Sequence, residues 1–171
     1  MAANKYIALI GGKLKEVVAT VISTGVTEAN KIVALDSSGK LDVSVLPTGV
    51  AAEVIVCATS ENLTAGQFVN LYDNGGTITA RKADATTNTK PAHGFVLAST
   101  TSPANATVYF ESQQNSALTS LTVGVDYYLS TTPGGVTTTP PSSSGNIVQF
   151  LGRATSSTNL PFTPSQTIEI A

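Results

Sequence analysis

The chain has one cysteine, one methionine, one histidine and no tryptophan in 171 residues. Each scarcity removes a class of function. A lone Cys57 cannot form a disulfide within the chain. It sits in the apolar run Val54-Ile55-Val56-Cys57-Ala58, where a thiol reads as a small buried hydrophobe rather than a nucleophile. One His and one Cys fall short of the three or four ligands that zinc takes. A catalytic dyad would set His93 beside an activated Ser, Cys or carboxylate. Its setting, Ala92-His93-Gly94-Phe95 at the head of a strand, reads instead as structural or surface. The expectation is a protein with no catalytic residue, no cofactor and no metal.

Charge is also scarce, at 12% of residues, about half the usual share for a soluble domain. The net charge is -2, so no basic excess neutralises a phosphate backbone and nucleic acid is not an expected partner. The charges are uneven. Lys5, Lys13, Lys15, Lys31 and Lys40 all lie in the first 40 positions, while from Pro91 onward only Glu111, Asp126, Arg153 and Glu169 are charged. So bare a surface invites association and suits a subunit of a larger assembly. No run approaches the roughly 18 apolar residues of a membrane span. Tyr6 to Gly12 is too short for a signal-peptide core, which predicts maturation in a cytoplasm without export and no membrane partner.

What the chain does have is Thr, Ser, 14 Gly and 8 Pro, a mixture that favours short strands and many turns. It also has a pattern that occurs twice. Leu63-Thr64-Ala65-Gly66 is followed by Gly75-Gly76-Thr77-Ile78-Thr79 and then Gly94. Leu121-Thr122-Val123-Gly124 is followed by Gly134-Gly135-Val136-Thr137-Thr138 and then Gly152. The interval from first to last Gly is 28 residues in both. A true duplication predicts two similar half-barrels or small sheets. Chance predicts one barrel with unrelated hairpins.

The fold class expected is all-β, a small antiparallel barrel or sandwich built from two similar β modules, with an extended N-terminal arm. Residues 1–50 form the arm, 51–112 module one and 113–171 module two. In the arm, Tyr6–Ile10 is an apolar run closed by Gly11-Gly12. Val17–Ile22 reads as a strand or as part of a short helix starting near Lys13. Lys31–Asp36 alternates like a strand, and Asp36-Ser37-Ser38-Gly39 is a turn. Lys40–Leu46 either completes a hairpin or holds a helical turn capped by Asp42 that ends before Pro47. Module one predicts strands at 53–58, 67–72, 77–82, 93–99 and 106–111, with Asp73-Asn74-Gly75-Gly76 as a hairpin turn. Module two predicts strands at 126–130, 135–139, 146–154 and 166–170, with its hairpin turn at 131–135. Pro161 and Pro164 confine Phe162 to an edge or loop.

Other motifs dissolve on inspection. Asp36, Asp42, Asp73 and Asp126 are scattered, and no calcium-loop pattern contains them. Neither Gly-Gly pair is followed by Gly-Lys-Ser/Thr, so neither is a phosphate loop. Tyr127-Tyr128 offers a sugar platform or, since strand side chains alternate, a core and interface pair.

A family resemblance adds to this. The run from Lys31 to Asp42 with Leu46-Pro47 resembles a segment common in tailed-bacteriophage virion proteins. Leu63–Asn70, Arg81–Ala85 and Ala92–Val96 resemble phage capsid decoration (cement) proteins. Tyr127–Ser130 with Pro133–Val136, and Val148–Ala154, resemble a β segment of phage head and tail accessory proteins. The resemblance implies a β-rich, often trimeric protein on the capsid exterior, made in the host cytoplasm, that bridges major capsid subunits. The partners implied are the major capsid protein and other copies of itself, as a homotrimer. Tyr6, Ile7, Leu9, Val17, Val21 and Leu46 are the expected capsid contacts of the arm. Tyr127, Tyr128 and Phe162 are the candidate oligomer interface. A second reading is a tail-fibre or tail-tip module that binds host-surface glycan through Tyr127, Tyr128 and the Thr-rich loops.

Overall fold

The computed structural model describes residues 4–46 and 53–171, with the side chain of Val43 excepted. The protein is all-β, with no α-helix among the described residues. It divides into two compact units, 1–51 and 52–171. The arm's expected end near residue 50, Pro47 and the first residues of module one lie outside the described residues.

Strands β1 (Lys5–Ile10) and β2 (Lys13–Val18) of the first unit form an antiparallel hairpin. Gly11 and Gly12 both take positive φ, 60° and 76°, the conformation a two-residue hairpin turn demands. Val17–Ile22 is thus a strand only as far as Val18. The alternation at Lys31–Asp36 does not produce a strand. Only Val33 pairs there, in one parallel bridge to Thr20. The Asp36 turn forms, its carboxylate accepting the amides of Ser38 (2.8 Å) and Lys40 (2.9 Å). Residues 43–45 form a 3-10 turn, with Asp42 Oδ1 accepting Ser44 N–H at 2.9 Å. The helical-turn reading of that segment therefore holds over the hairpin reading. Of this unit's described side chains only Thr20 is buried. Its hydroxyl donates to Glu28 at 2.7 Å, so the unit is centred on a polar contact, not on an apolar core.

The second unit begins with a closed five-stranded barrel. Its strands are β3 (Val54–Thr59), β4 (Phe68–Asp73), β5 (Ile78–Lys82), β6 (Gly94–Val96) and β7 (Asn105–Tyr109), in the closed order β3-β5-β4-β6-β7. Four of the five pairings are antiparallel. The fifth, which closes the barrel, is a short parallel contact of Ala58 and Thr59 with Thr79 and Ala80. Strand alternation sends Cys57, Val69, Ala80, Val96, Ala106 and Val108 inward to form the barrel core with Leu63.

The rest of the unit is built from shorter strands: β8 (Gln114–Asn115), β9 (Asp126–Leu129), β10 (Val136–Thr137), β11 (Ile147–Val148), β12 (Phe150–Arg153), β13 (Leu160–Pro161) and β14 (Ile168–Glu169). They pair as β10-β9-β12, β8-β13 and β11-β14. Around the first and last glycines of the pattern the residues of the two copies match at an offset of 58, as Gly66 matches Gly124 and Gly94 matches Gly152, while the Gly-Gly pairs lie 59 apart. The hydrogen bonds follow the same offset. Gly66 N–H donates to Val96 O at 2.8 Å, and Gly124 N–H to Ala154 O at 2.8 Å. Val96 N–H donates to Gln67 O, and Ala154 N–H to Val125 O, both at 3.0 Å. Gly94 pairs with Val69, and Gly152 with Tyr127. The strand order β5-β4-β6 recurs as β10-β9-β12.

Both copies lie within one unit and share a core. Phe68 and Phe95, turned outward from the barrel, meet Phe162 with ring centroids 5.3 and 5.9 Å apart. They join Leu121, Tyr127, Leu129, Leu151, Ala154 and Leu160 of the second copy in one cluster.

Candidate functional site

The first unit presents an exposed apolar surface on its hairpin. On the hairpin, register places Leu9 opposite Leu14, Ile7 opposite Glu16 and Lys5 opposite Val18. Period-two alternation puts all six on one face. Ile7, Leu9, Leu14 and Val18 are 63%, 70%, 76% and 48% exposed, and the Lys5–Glu16 ion pair (2.6 Å) sits among them. Tyr6 and Val17 face the other way and are half-buried, with Tyr6 Oη accepting Ile32 N–H at 3.3 Å. Val21 and Leu46 are half-buried too. Of the six expected contact residues, then, Ile7 and Leu9 are openly displayed. Leu14 and Val18 belong to the same face and were not singled out from the sequence; the signal was their place across from Leu9 and Lys5, visible once Gly11-Gly12 is read as the hairpin turn.

In the second unit the three candidate interface aromatics separate. Phe162 is fully buried, and Tyr127 is nearly so. Tyr127 Oη accepts Thr122 N–H at 2.9 Å, tying its own strand to the preceding turn. Neither ring reaches a surface, which corrects the expectation for both. The prolines around Phe162 do keep its backbone beside the short strand β8, where Phe162 N–H donates to Gln113 O. The side chain simply points the other way, into the core. Tyr128 remains half-buried, packed edge-on to Phe150 at 5.9 Å. On the same outward face Arg153 donates to Asp126 through Nε (2.6 Å) and Nη2 (3.1 Å). This bidentate contact, ahead of the Arg153 charge, holds the Asp126 carboxyl below its ordinary range.

His93 has a definite structural role. Its Nδ1 accepts the amide N–H of Leu71 at 3.1 Å, so the neutral ring carries its proton on Nε2. Buried Asn70 holds the neighbourhood together. Its amide donates to Pro91 O (2.9 Å), and its Oδ1 accepts Arg81 Nε–H (2.9 Å). Arg81 in turn donates to Thr89 O at 2.8 Å and lies over the Tyr72 ring, 4.3 Å from its centroid. Beside His93 is a cavity of about 340 Å³ lined by Glu53, Ala92, Phe110, Glu111 and Pro164. Among the described residues that line it there is no hydroxyl or thiol side chain.

Cys57 is buried, as its sequence setting suggests, and burial raises its thiol above the ordinary range. The aspartates are engaged locally. Asp73 accepts Gly76 N–H at 2.7 Å, Asp42 bonds Ser44, and Asp126 bonds Arg153. Among the described residues, no three His, Cys, Asp or Glu side chains gather as a metal site.

No protein-family model matches this chain, and no curated protein or solved structure matches it either.

Proposed function

We propose that this chain is a structural virion protein that decorates and stabilises the outer surface of a tailed-phage capsid. The first unit contacts the major capsid subunits, and the two-copy β unit protrudes as a homotrimeric body. The observation that carries this reading is the hairpin face of Ile7, Leu9, Leu14 and Val18. An isolated two-stranded hairpin is marginal in water, and four large apolar side chains on one exposed face favour burial against a partner. The body, by contrast, has its own apolar cores. The resemblance to capsid decoration proteins names the partner. The glycan reading loses half of its proposed platform with the burial of Tyr127 and retains Tyr128 beside Phe150.

The test uses phage capsids assembled without this protein. Full-length chain should bind them, and a chain lacking residues 2–45 should not. Leu9→Glu with Leu14→Glu should also lose binding while keeping the body's melting transition. Capsids still decorated by the truncated chain would refute the assignment. Binding to host envelope with none to capsids would select the tail-module reading.

A further inference from the structure

Residues 83–92 run as a strap between the two copies of the β unit. At one end Ala83 N–H donates to Phe68 O of the first copy, and Ala83 O accepts Gly134 N–H of the second. Ala85 N–H donates to Ser130 O, and Ala85 O accepts Ile147 N–H. At the other end Ala92 is held by the Gln149 side chain through both its amide and its carbonyl, at 2.8 and 3.0 Å. His93 follows directly; its N–H donates to Val69 O of β4 at 2.8 Å, and its ring is held by a second bond from the main chain of the same strand.

That bond exists in only one protonation state. A ring nitrogen that accepts an N–H cannot carry a proton at the same time, and imidazolium has two donors and no acceptor. On protonation Nδ1–H and Leu71 N–H would face each other as two donors. The adjacent cavity offers the charged ring another place, beside Glu53 and Glu111. Arg81, bonded to Asn70 on the other side, opposes a charge where the ring now sits. The neutral groups around the ring are Asn70, whose amide lies 3.4 Å from Nδ1, and Pro91 and Gln149 in the adjoining cleft.

We propose that His93 is a pH-sensitive latch: neutral, its ring reinforces the hold of β4 on the end of the 83–92 strap, and protonated, it leaves Leu71 and turns into the cavity between Glu53 and Glu111. Acidification then loosens the strap and with it the joint between the two β copies, without unfolding either core.

The ring's environment sets the direction. Partial desolvation of the ring, whose side chain is still exposed, and then the Arg81 charge lower the proton affinity of His93. A carbonyl in the position of the Leu71 amide would raise it; the N–H that donates to Nδ1 favours the neutral ring. A histidine lowered in the folded state contributes stability that is fully present above its unfolded value of about 6.5. That contribution is lost as pH falls through the folded value.

The experiment is an NMR titration of the full chain with 15N-labelled histidine, from about pH 8 to about pH 5, with amide exchange measured in parallel. The neutral form should show the Nε2–H tautomer. Amides of Leu71, Ala85 and Ala92, corrected for intrinsic exchange, should lose protection by about tenfold or more across the His93 titration and regain it on return. His93→Gln should abolish the step. Glu53→Gln with Glu111→Gln should move it to lower pH, because the charged ring loses its partners. The opposite tautomer, or strap exchange that ignores the titration in the unsubstituted chain, overturns the latch. A step that survives in His93→Gln overturns it as well. A midpoint unmoved by the paired glutamate substitutions overturns the cavity as the ring's second position.

Discussion

Arg153 faces Asp126 from the register position that Phe95 holds opposite Phe68. The 58-residue offset maps Phe68 onto Asp126 and Phe95 onto Arg153, and in both copies the pair points away from the copy's own interior. The difference lies in what covers it. The second copy covers Phe68 and Phe95, which are fully buried. The outward side of the second copy is open, and its pair is an ion pair with Arg153 mostly exposed. One backbone position thus carries an aromatic contact or a charged one according to solvent.

The two pairs should therefore respond very differently to substitution. Phe68→Ala removes a ring that touches Phe95 and Phe162 and should cost about 3–5 kcal/mol in urea unfolding. Phe68→Asp buries an unpaired charge and should prevent folding. Asp126→Asn, at an exposed pair, should leave the unfolding midpoint nearly unchanged. Equal losses at positions 68 and 126 would show that both faces are covered.

Gly94 and Gly152 are the repeat's last glycines, and both stand where the next strand crosses closely. A Cβ on Gly94 would lie 2.5 Å from Tyr109 O and 2.6 Å from Val108 Cγ1. One on Gly152 would collide with Pro161 O, also backbone. Backbone cannot swing aside as a side-chain tip does. Gly94→Ala and Gly152→Ala should each destabilise by about 1–3 kcal/mol or more, the cost of overpacking. Gly75 has open space around it and a φ of 66°, so Gly75→Ala should cost only the left-handed penalty of about 1–2 kcal/mol. Chemical denaturation of the three variants checks the ranking.

These glycines also mark how far the sequence could be read. The turns at 73–76 and 131–135 were legible because Gly75, Gly76 and Gly134 take a positive φ that leaves a residue signature, whereas Gly11-Gly12 read only as the end of an apolar run. The long strands β3, β4, β5 and β7 were legible from alternation, each within a residue or two of its observed ends. The parallel closure of β3 on β5 was not, since two residue pairs made across 21 positions (58 to 79, 59 to 80) leave no local pattern. Strands β8 and β13, two residues each, are too short for any periodicity. Lys31–Asp36 had the alternation but no neighbouring strand to complete a ladder. At the candidate sites, alternation did separate Tyr127 from Tyr128, yet which ring faces the core depends on the second copy folding back on the first.

The two units should be separable. The first has only Thr20 buried among its described side chains, whereas the second has two apolar clusters of its own. A chain of residues 53–171 should melt cooperatively at nearly the temperature of the full protein. Residues 1–51 alone should show little hairpin signal in circular dichroism, because one hairpin without a covered face is marginal. A large drop in the melting temperature of the 53–171 chain would mean that the first unit stabilises the second.

Gln149 holds the end of the 83–92 strap by a buried two-way contact. Its side-chain amide is buried, accepting Ala92 N–H and donating to Ala92 O as a strand neighbour would. Gln149→Leu keeps the volume but leaves that N–H and C=O without partners, and each unsatisfied buried group costs about 1–3 kcal/mol. Gln149→Glu keeps the acceptor and can donate to Ala92 O only when protonated, so it should lose less than Leu if the new carboxyl is protonated and more if it is ionised. The Glu variant should accordingly regain stability as pH falls toward the carboxyl range, opposite in sign to the acid loosening expected at His93. Urea unfolding at neutral and at acidic pH distinguishes the two, and a Leu variant as stable as the parent would show that water reaches Ala92 once the glutamine is gone.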